Sequence, residues 1–428
     1  MRNILFWLRL LTLIALLAAP GLARAQDATQ PSHEATLENA VEAGEADAEE
    51  PRRKFLHWNE YEGPYFTIRM GAGLLYEIVG YSQDEESKQQ FELEPEYKLR
   101  DFRFLLKGRF PALERPVTWC AGIMYDGPTD SWLMRETGVM IAVPELWGYL
   151  FIGRTKEGFS LNKVMTGYSG WTMERSTMSD ASIPILADGI KWLGYVPSHG
   201  FLWNLGWYHD WLSEGQKFST YESQIVGRAA WLPIHSEESG RLLHLGVNLR
   251  YGKPEEGELQ LRSRPEAFPA PYFVDTGLFE TSTTRMAGYE AYYRTGPWLF
   301  GSEYWLVDVS SRTAGDPRFH GGDVVATWLV TGETRGYNTV GGYFKSVSPA
   351  RTVFEGGPGA WELVFRLSTI DLDSGTLQGG RFWRFTPMVN WHLSDNLRLE
   401  LAYGYGELDR FDLLGATQFF QARIQMQF

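Results

Sequence analysis

The sequence contains a single cysteine, Cys120, among 428 residues, so it can form no internal disulfide. Secreted soluble domains often depend on disulfides. A membrane barrel satisfies its backbone through a closed ladder of inter-strand hydrogen bonds and needs none. Cys120 lies in the apolar stretch 117–125, which predicts a buried thiol without a redox role. The scarcity of cysteine therefore weighs against a disulfide-stabilised secreted domain.

Apolar runs of about 20 residues, the length that crosses a bilayer as a helix, are also lacking. The longest run, residues 10–19, follows Arg2 and Arg9 and precedes the small-x-small site Ala23-Arg24-Ala25. This is the pattern of a cleaved secretory signal, which we assign to residues 1–25. A membrane anchor helix is the alternative, and the shortness of the run weighs against it.

Positive charge is lacking between residues 26 and 50, which hold eight carboxylates and neither Lys nor Arg. Such a segment cannot bury enough apolar surface to fold, so we predict an acidic, disordered periplasmic tail over residues 26–53. A short self-associating helix is the alternative. The whole chain carries a net charge of −13, and −16 once the three arginines of the signal are removed, which disfavours nucleic acid as a partner.

Catalytic and metal-binding motifs are lacking as well. There is no H-E-x-x-H, no Cys/His spacing for zinc and no G-x-S-x-G nucleophile turn. Ser198 and His199 are adjacent, but they lie between Pro197 and Gly200, which indicates a turn. We therefore predict no catalytic residue, metal or cofactor.

What the sequence does have is a period of two. Near the C-terminus, apolar residues alternate with polar ones such as Gln421, Arg423 and Gln425, and the apolar face ends on Phe428. Similar alternation recurs around residues 201–210, 243–251, 361–368 and 397–405, and it predicts half-buried strands. The content of 17 Trp and 21 Tyr suits the aromatic girdles of a membrane barrel.

Alternation alone fits either a β-sandwich or a barrel in lipid. Three features favour the barrel: charged and small residues in mid-strand with Trp and Tyr at strand ends, short turns alternating with long polar segments, and the C-terminal aromatic Phe428. The long segments are 166–187, 255–284 and 309–322. We predict that residues 54–428 form an all-β, transmembrane, antiparallel up-and-down barrel of about 16 strands, with 14 and 18 also compatible.

Several motifs, taken in order, resemble the phosphate-selective porin O and P family. They are Leu99-Arg100-Asp101-Phe102-Arg103, the stretch 153–161, Met173-Glu174-Arg175-Ser176, Arg264-Pro265-Glu266, the stretch 274–277, the stretch 328–333 with Tyr337, and the stretch 359–363. The resemblance implies a 16-stranded barrel, usually trimeric, whose third loop folds inward, with pore arginines and lysines that attract phosphate or polyphosphate. The sequence departs from the family at Asp101, where another arginine is usual, and in its acidic tail.

Alternation also predicts which charged side chains point into the lumen. The basic ones are Arg69, Arg103, Lys107, Lys191, Arg228, Arg250, Arg294, Arg366, Arg398 and Arg423, and the acidic ones are Asp101, Asp210, Glu290, Glu303, Glu362 and Glu400. A positive excess would favour anions. The alternative is that these charges pair across strands and only keep the lumen wet, so anion preference and weak selectivity both remain open.

The proposed constriction segment carries Arg154, Lys156, Lys163 and Arg175, which we predict to contact the solute. The alternative for Arg175 is a structural pair with Glu174 or Glu157. The predicted function is passive diffusion of small hydrophilic solutes through an outer-membrane porin, with an anion or phosphate preference as the finer hypothesis. The implied partners are outer-membrane lipid, two further copies in a homotrimer, and the barrel-assembly machinery, which would bind Phe428.

Two other functions fit parts of the pattern. One is an outer-membrane enzyme of the phospholipase type, which needs a nucleophile and a base on the outward face; His244 and His392 are predicted to point inward. The other is a soluble periplasmic carbohydrate-binding β-protein that uses exposed Trp residues as sugar platforms.

Overall fold

The computed structural model describes residues 59–126, 131–209, 211 and 221–428. The predicted signal and acidic tail lie outside these residues. Three short helices occur in the described part of the chain: α1 (Glu85–Gln90), α2 (Leu161–Val164) and α3 (Thr177–Ser182). No helix there is long and apolar enough to cross a membrane.

Sixteen antiparallel crossings form a closed barrel wall, which confirms the predicted fold class and strand number. With strands numbered along the chain, the wall consists of β2 (Thr67–Gln83), β3 (Glu96–Arg109), β4 (Val117–Asp126), the interrupted crossing β5 (Ser131–Met134) and β6 (Thr137–Val143), β7 (Gly148–Thr155), β8 (Ala187–Val196), β9 (Phe201–His209), β10 (Tyr221–Ser236), β11 (Arg241–Pro254), β16 (Thr283–Thr295), β17 (Trp298–Ser310), β18 (Arg318–Leu329), β21 (Ala360–Ser374), β22 (Leu377–His392), β23 (Leu397–Arg410) and β24 (Leu413–Gln427). Short strands outside the wall are β1 (Glu60–Glu62), β12 (Glu258–Leu259), β13 (Arg262–Ser263), β14 (Val274–Asp275), β15 (Phe279–Glu280), β19 (Tyr337–Asn338) and β20 (Tyr343–Phe344).

The apolar face of each strand points outward. On β11, Val247 is 58% exposed and Leu249 is 64% exposed, whereas His244, Asn248 and Arg250 are buried inside the barrel. A sandwich would bury the apolar rows against each other and leave the polar rows in water. The arrangement in this barrel is the reverse, as expected for a wall that contacts acyl chains.

The barrel closes by pairing of its first and last wall strands, from Gly73↔Gln427 to Gln83↔Thr417. Phe428 continues this ladder, exchanging backbone hydrogen bonds of 2.8 and 3.0 Å with Ala72. Just beyond Phe428, β1 pairs with the start of β2. Both described ends of the chain therefore lie at one end of the barrel, here called the terminal end; the opposite end is the loop end.

In the part of the chain that the structure describes, three long connections fold into the barrel. The first inner loop (156–186) and the second inner loop (255–282) enter from the loop end, as the long polar segments predicted. Half of the predicted long segment 309–322 is strand, because β17 and β18 extend into it. Instead, the third inner loop (330–359) enters from the terminal end, where only short turns were expected.

Apolar packing explains why these loops stay inside. Phe159 and Met178 of the first inner loop pack in one buried cluster with Phe273 of the second. Trp171 of the first inner loop and Phe344 of the third belong to another, with their ring centroids 6.2 Å apart. Burial of such side chains contributes about 1.5–3 kcal/mol each. The lumen is therefore largely filled, and solute must pass through the spaces that the loops leave.

Candidate solute pathway

One of these spaces is a cavity of about 540 Å³, here called the upper cavity. It lies between the first and second inner loops and the wall formed by β3, β4 and β5. Eight basic side chains line it: Arg100, Arg103, Arg135, Lys156, Lys163, Arg175, Arg264 and Arg423. Four acidic side chains line it as well: Asp101, Glu174, Asp180 and Glu266.

Two irregularities in the wall direct arginines into the upper cavity. In β3, the pairing with β2 shifts between Leu75 and Tyr76, which leaves Arg100 without a partner on that strand. In the next crossing, the break between β5 and β6 contains Arg135, whose backbone N–H donates to Gly122 at 2.7 Å. A bulge interrupts strict alternation and re-aims a side chain. The alternation rule therefore did not identify Arg100 or Arg135 as inward-facing.

The carboxylates of the upper cavity are held by basic or polar neighbours. Asp101 accepts hydrogen bonds from Arg103, and Glu266 accepts one from Arg366. Asp180 accepts a hydrogen bond of 3.1 Å from Ser263. Around this cavity, basic side chains outnumber acidic ones by eight to four.

Glu174 connects the first inner loop to the wall at two places. It accepts hydrogen bonds of 2.9 and 3.2 Å from Arg100, and it also accepts from Arg423 on the last strand. Burial alone would raise the pKa of Glu174, but Arg100 and Arg423 lower it to about 2. The loop carboxylate therefore stays ionised, and its ion pairs fix the position of the loop.

A smaller cavity of about 130 Å³, the lower cavity, lies toward the terminal end. Cys120, Phe151 and Lys191 line it, and it shares Lys156 and Thr166 with the upper cavity. Lys156 thus stands where the two spaces meet. Its ammonium donates to the carbonyls of Val164 and Met165 at 3.2 and 2.7 Å.

Three of the four predicted constriction residues come together at the upper cavity: Lys156, Lys163 and Arg175. Arg154 does not; it is buried in a two-hydrogen-bond pair with Asp188, at 2.7 and 3.2 Å. Arg175 donates to the carbonyls of Asn162, Lys163 and Met165 within its own loop, instead of to the carboxylates of Glu174 or Glu157.

Lys163 is buried in the first inner loop, and its ammonium lies 3.5 Å from the carbonyl oxygen of Ser179. Burial and then the neighbouring Arg175 lower the pKa of Lys163 to about 7, against the opposing effect of Asp180. Its charge in the pathway therefore changes near neutral pH.

The other predicted lumen cations are distributed along the inner wall. Arg69 pairs with Glu60 at the terminal end, at 3.0 Å, and Lys107 is half-buried on β3. Lys191 donates to Thr155 at 2.8 Å, and Arg294 donates to the carbonyl of Arg335 at 2.6 Å. Arg228, Arg250, Arg366 and Arg398 are all buried.

These buried arginines each bind a carboxylate and a loop carbonyl together. Arg228 binds Glu290 and the carbonyls of the third inner loop at Gly341 and Gly342. In the same way, Arg250 binds Glu157 and the carbonyl of Ser182. Arg366 binds Glu266 and the carbonyl of Glu174. Arg398 binds Glu400 and the carbonyl of Gly170. A guanidinium has five N–H donors in a fixed fork, so one side chain can hold both groups.

The acidic residues predicted to face the lumen also bind neighbouring side chains or backbone groups. Glu290, Glu400 and Glu362 pair with arginines, the last with Arg335 at 2.8 Å. Glu303 accepts from Tyr292 at 2.6 Å and from the backbone N–H of Asn162 at 2.8 Å. Asp101 lines the upper cavity, and Asp210 lies outside the described residues.

Comparison with curated relatives shows limited similarity. Porin O of Pseudomonas aeruginosa is 23% identical over 225 residues, which cover 44% of this chain and 48% of that protein. An uncharacterised protein of Caulobacter vibrioides is 28% identical over 197 residues, which cover 45% of this chain and 38% of that protein. The chain therefore matches less than half the length of either relative.

Solved structures share the fold at low identity. An anion-selective porin from Comamonas acidovorans superimposes with a TM-score of 0.51 and 13% identity, over 85% of this chain and all of that one. OmpT, an outer membrane protein of Vibrio cholerae, superimposes with a TM-score of 0.54 and 11% identity, over 86% of this chain and all of that one. A family model for phosphate-selective porin O and P matches residues 134–428, more than half of the chain. The chain therefore belongs to the phosphate-selective porin O and P family.

Proposed function

We propose that the protein is an outer-membrane porin through which small hydrophilic anions diffuse passively. The observation that carries the proposal is the upper cavity, where eight basic side chains face four engaged carboxylates. Membership of a porin family supports a channel, and similarity to Porin O and to an anion-selective porin supports the anion preference.

The pathway runs from the loop end into the upper cavity, past Lys156, and through the lower cavity to the terminal end. A positive field between low-dielectric walls lowers the energy of an entering anion and raises that of a cation. The arginines are held in fixed geometry, so they do not reorganise as an anion passes. Lys156, a point charge, stands where the two cavities meet.

The proposal assigns no catalytic residue, metal or cofactor. Among the described residues, no group of three or more His, Cys, Asp or Glu side chains is placed to hold a metal ion. His244 and His392, the histidines considered for a phospholipase, are buried inside the barrel and contact Glu290 and Glu362. The outward apolar rows argue equally against a soluble sugar-binding protein.

We also propose how the protein reaches the outer membrane and how its copies assemble. Residues 1–25 direct export and are removed, residues 26–53 remain as an acidic periplasmic tail, and Phe428 is read by the barrel-assembly machinery. The barrel sits in outer-membrane lipid as a homotrimer; one similar structure, OmpT, is described in a trimer form. Cross-linking of the purified protein tests the trimer.

The test of the channel is reconstitution in planar bilayers. Folded protein should give stepwise conductance, and the reversal potential in a potassium chloride gradient should have the sign of anion selectivity. Inorganic phosphate, added as a competitor, should reduce the chloride current. Boiled protein is the control. A cation-selective reversal potential would contradict the proposal.

A further inference from the structure

A ladder of alternating guanidinium groups and aromatic rings runs down the second inner loop to the wall. Arg262 lies 4.3 Å from the ring centroid of Tyr272, and Arg264 lies 4.4 Å from the same ring. Arg264 also lies 5.4 Å from the ring of Phe268, and Arg100 lies 4.0 Å from that ring. The ladder begins at the exposed Arg262 and ends at the bulge in β3.

The central part of this ladder faces the pathway. Arg264, Phe268 and Tyr272 all line the upper cavity, and all three are half-buried. A hydrogen bond of 2.9 Å from Nε of Arg264 to the carbonyl of Ala270 fixes the turn. This bond leaves the two terminal nitrogens of Arg264 without a protein acceptor among the described residues.

The rest of the cavity lining also places apolar side chains beside the charged ones. Ile185 of the first inner loop is 45% exposed, and Met173 and Leu133 also line the space. A small inorganic anion interacts with the cations alone, so it gives no reason for rings and apolar side chains beside them. A ring that carries a carboxylate uses both: its face packs against the edges of aromatic rings, and the carboxylate binds the fork of an arginine.

We propose that this ladder selects aromatic carboxylates among the anions that enter the pore. Guanidinium groups cover the faces of Phe268 and Tyr272, so the ring of the solute packs against the edges of these two rings. Its carboxylate accepts hydrogen bonds from the terminal nitrogens of Arg264. This inference rests on the proposed function, because it names the class of anion that the same pathway prefers.

The experiment measures how organic anions reduce chloride current through the reconstituted channel. Benzoate is compared with cyclohexanecarboxylate, which has the same charge and nearly the same size but no π face. We expect benzoate to halve the current at a concentration about fivefold lower, the factor that a single added aromatic contact gives. Equal concentrations for the two acids would overturn the inference while leaving anion selectivity intact.

Two variants test whether Phe268 and Tyr272 cause the preference for benzoate. In the double variant Phe268→Leu, Tyr272→Leu, the advantage of benzoate should disappear, so that both acids halve the chloride current at similar concentrations. Phe354→Leu, at an aromatic residue 67% exposed in the third inner loop, is the matched control and should keep the advantage. A double variant that still prefers benzoate overturns the inference. A wild-type channel without anion selectivity overturns the proposed function, and the inference with it.

Discussion

At the scale of single residues, Lys156 occupies the junction of the two cavities. We predict that Lys156→Gln lowers chloride conductance by up to about fivefold, since a unit charge at 4 Å contributes ~1 kcal/mol in a water-like dielectric. Single-channel recording measures the change. Lys156→Arg keeps the charge and should retain most of the conductance. If both variants conduct like the wild type, Lys156 serves only to hold the carbonyls of Val164 and Met165.

Lys163 makes the selectivity depend on pH. Its lowered pKa of about 7 means that it is charged below neutrality and uncharged above it. Anion selectivity should therefore weaken as the pH rises from about 6 to about 8, well below the usual pKa of lysine.

The measurement is the reversal potential at each pH. Lys163→Met should give weak selectivity at every pH, and Lys163→Arg strong selectivity at every pH. A wild-type profile as flat as that of either variant would exclude Lys163 as the titrating group.

Several side chains that the alternation assigns to the lumen are buried in the structure, including Arg103, Arg228 and Arg366. The alternation failed at Arg100 and Arg135, because a bulge adds one residue to a strand and reverses the faces after it. No local pattern marks those bulges. Arg264 was missed for another reason: it lies on a loop, where no period relates sequence to direction.

At the scale of elements, the first inner loop is positioned by ion pairs as well as by apolar packing. We predict that Glu174→Gln loosens it, because the variant loses the charge that binds Arg100 and Arg423. Breaking a buried pair costs about 3–5 kcal/mol, and the partial exposure of Glu174 reduces that figure. Channel recordings should show larger and noisier openings with weaker selectivity.

Glu145→Gln is the control for this prediction. Glu145 pairs with Arg115 at 2.6 Å in a turn, but both side chains are more than half exposed. Exposed pairs contribute little, so the recordings should match those of the wild type. Equal behaviour of the two variants would mean that packing alone holds the loop.

Strand positions and the inward course of the first inner loop could be predicted, since alternation and long polar segments mark them. The third inner loop could not be placed, because its burial depends on contacts distant in sequence. Arg335, for example, joins this loop to Glu362 on β21 and to the carbonyl of Ser169 in the first inner loop. The aromatic residues Tyr337, Tyr343 and Phe344 of the third inner loop were the sequence feature that could have indicated its burial.

At the scale of the whole molecule, the outward apolar surface should make stability depend on depth in the bilayer. We predict that Val247→Arg, in the middle of β11, costs about 2–4 kcal/mol, whereas an arginine near the interface costs about 0–1 kcal/mol. Leu414→Arg, at the loop end of β24, is the matched interfacial variant; both positions are more than half exposed. Urea unfolding in lipid vesicles measures the difference. Similar costs at the two positions would argue against a membrane around the wall.

Arg423 joins three parts of the chain that are far apart in sequence. It lies on β24, and it binds Glu77 on β2 together with Glu174 and the carbonyl of Met173 in the first inner loop. One side chain therefore closes the wall and seats the loop in the same step. The first inner loop therefore reaches its final position only when β2 and β24 pair. A barrel still open along that seam holds the whole sequence of its filter but lacks the ion pairs that seat it.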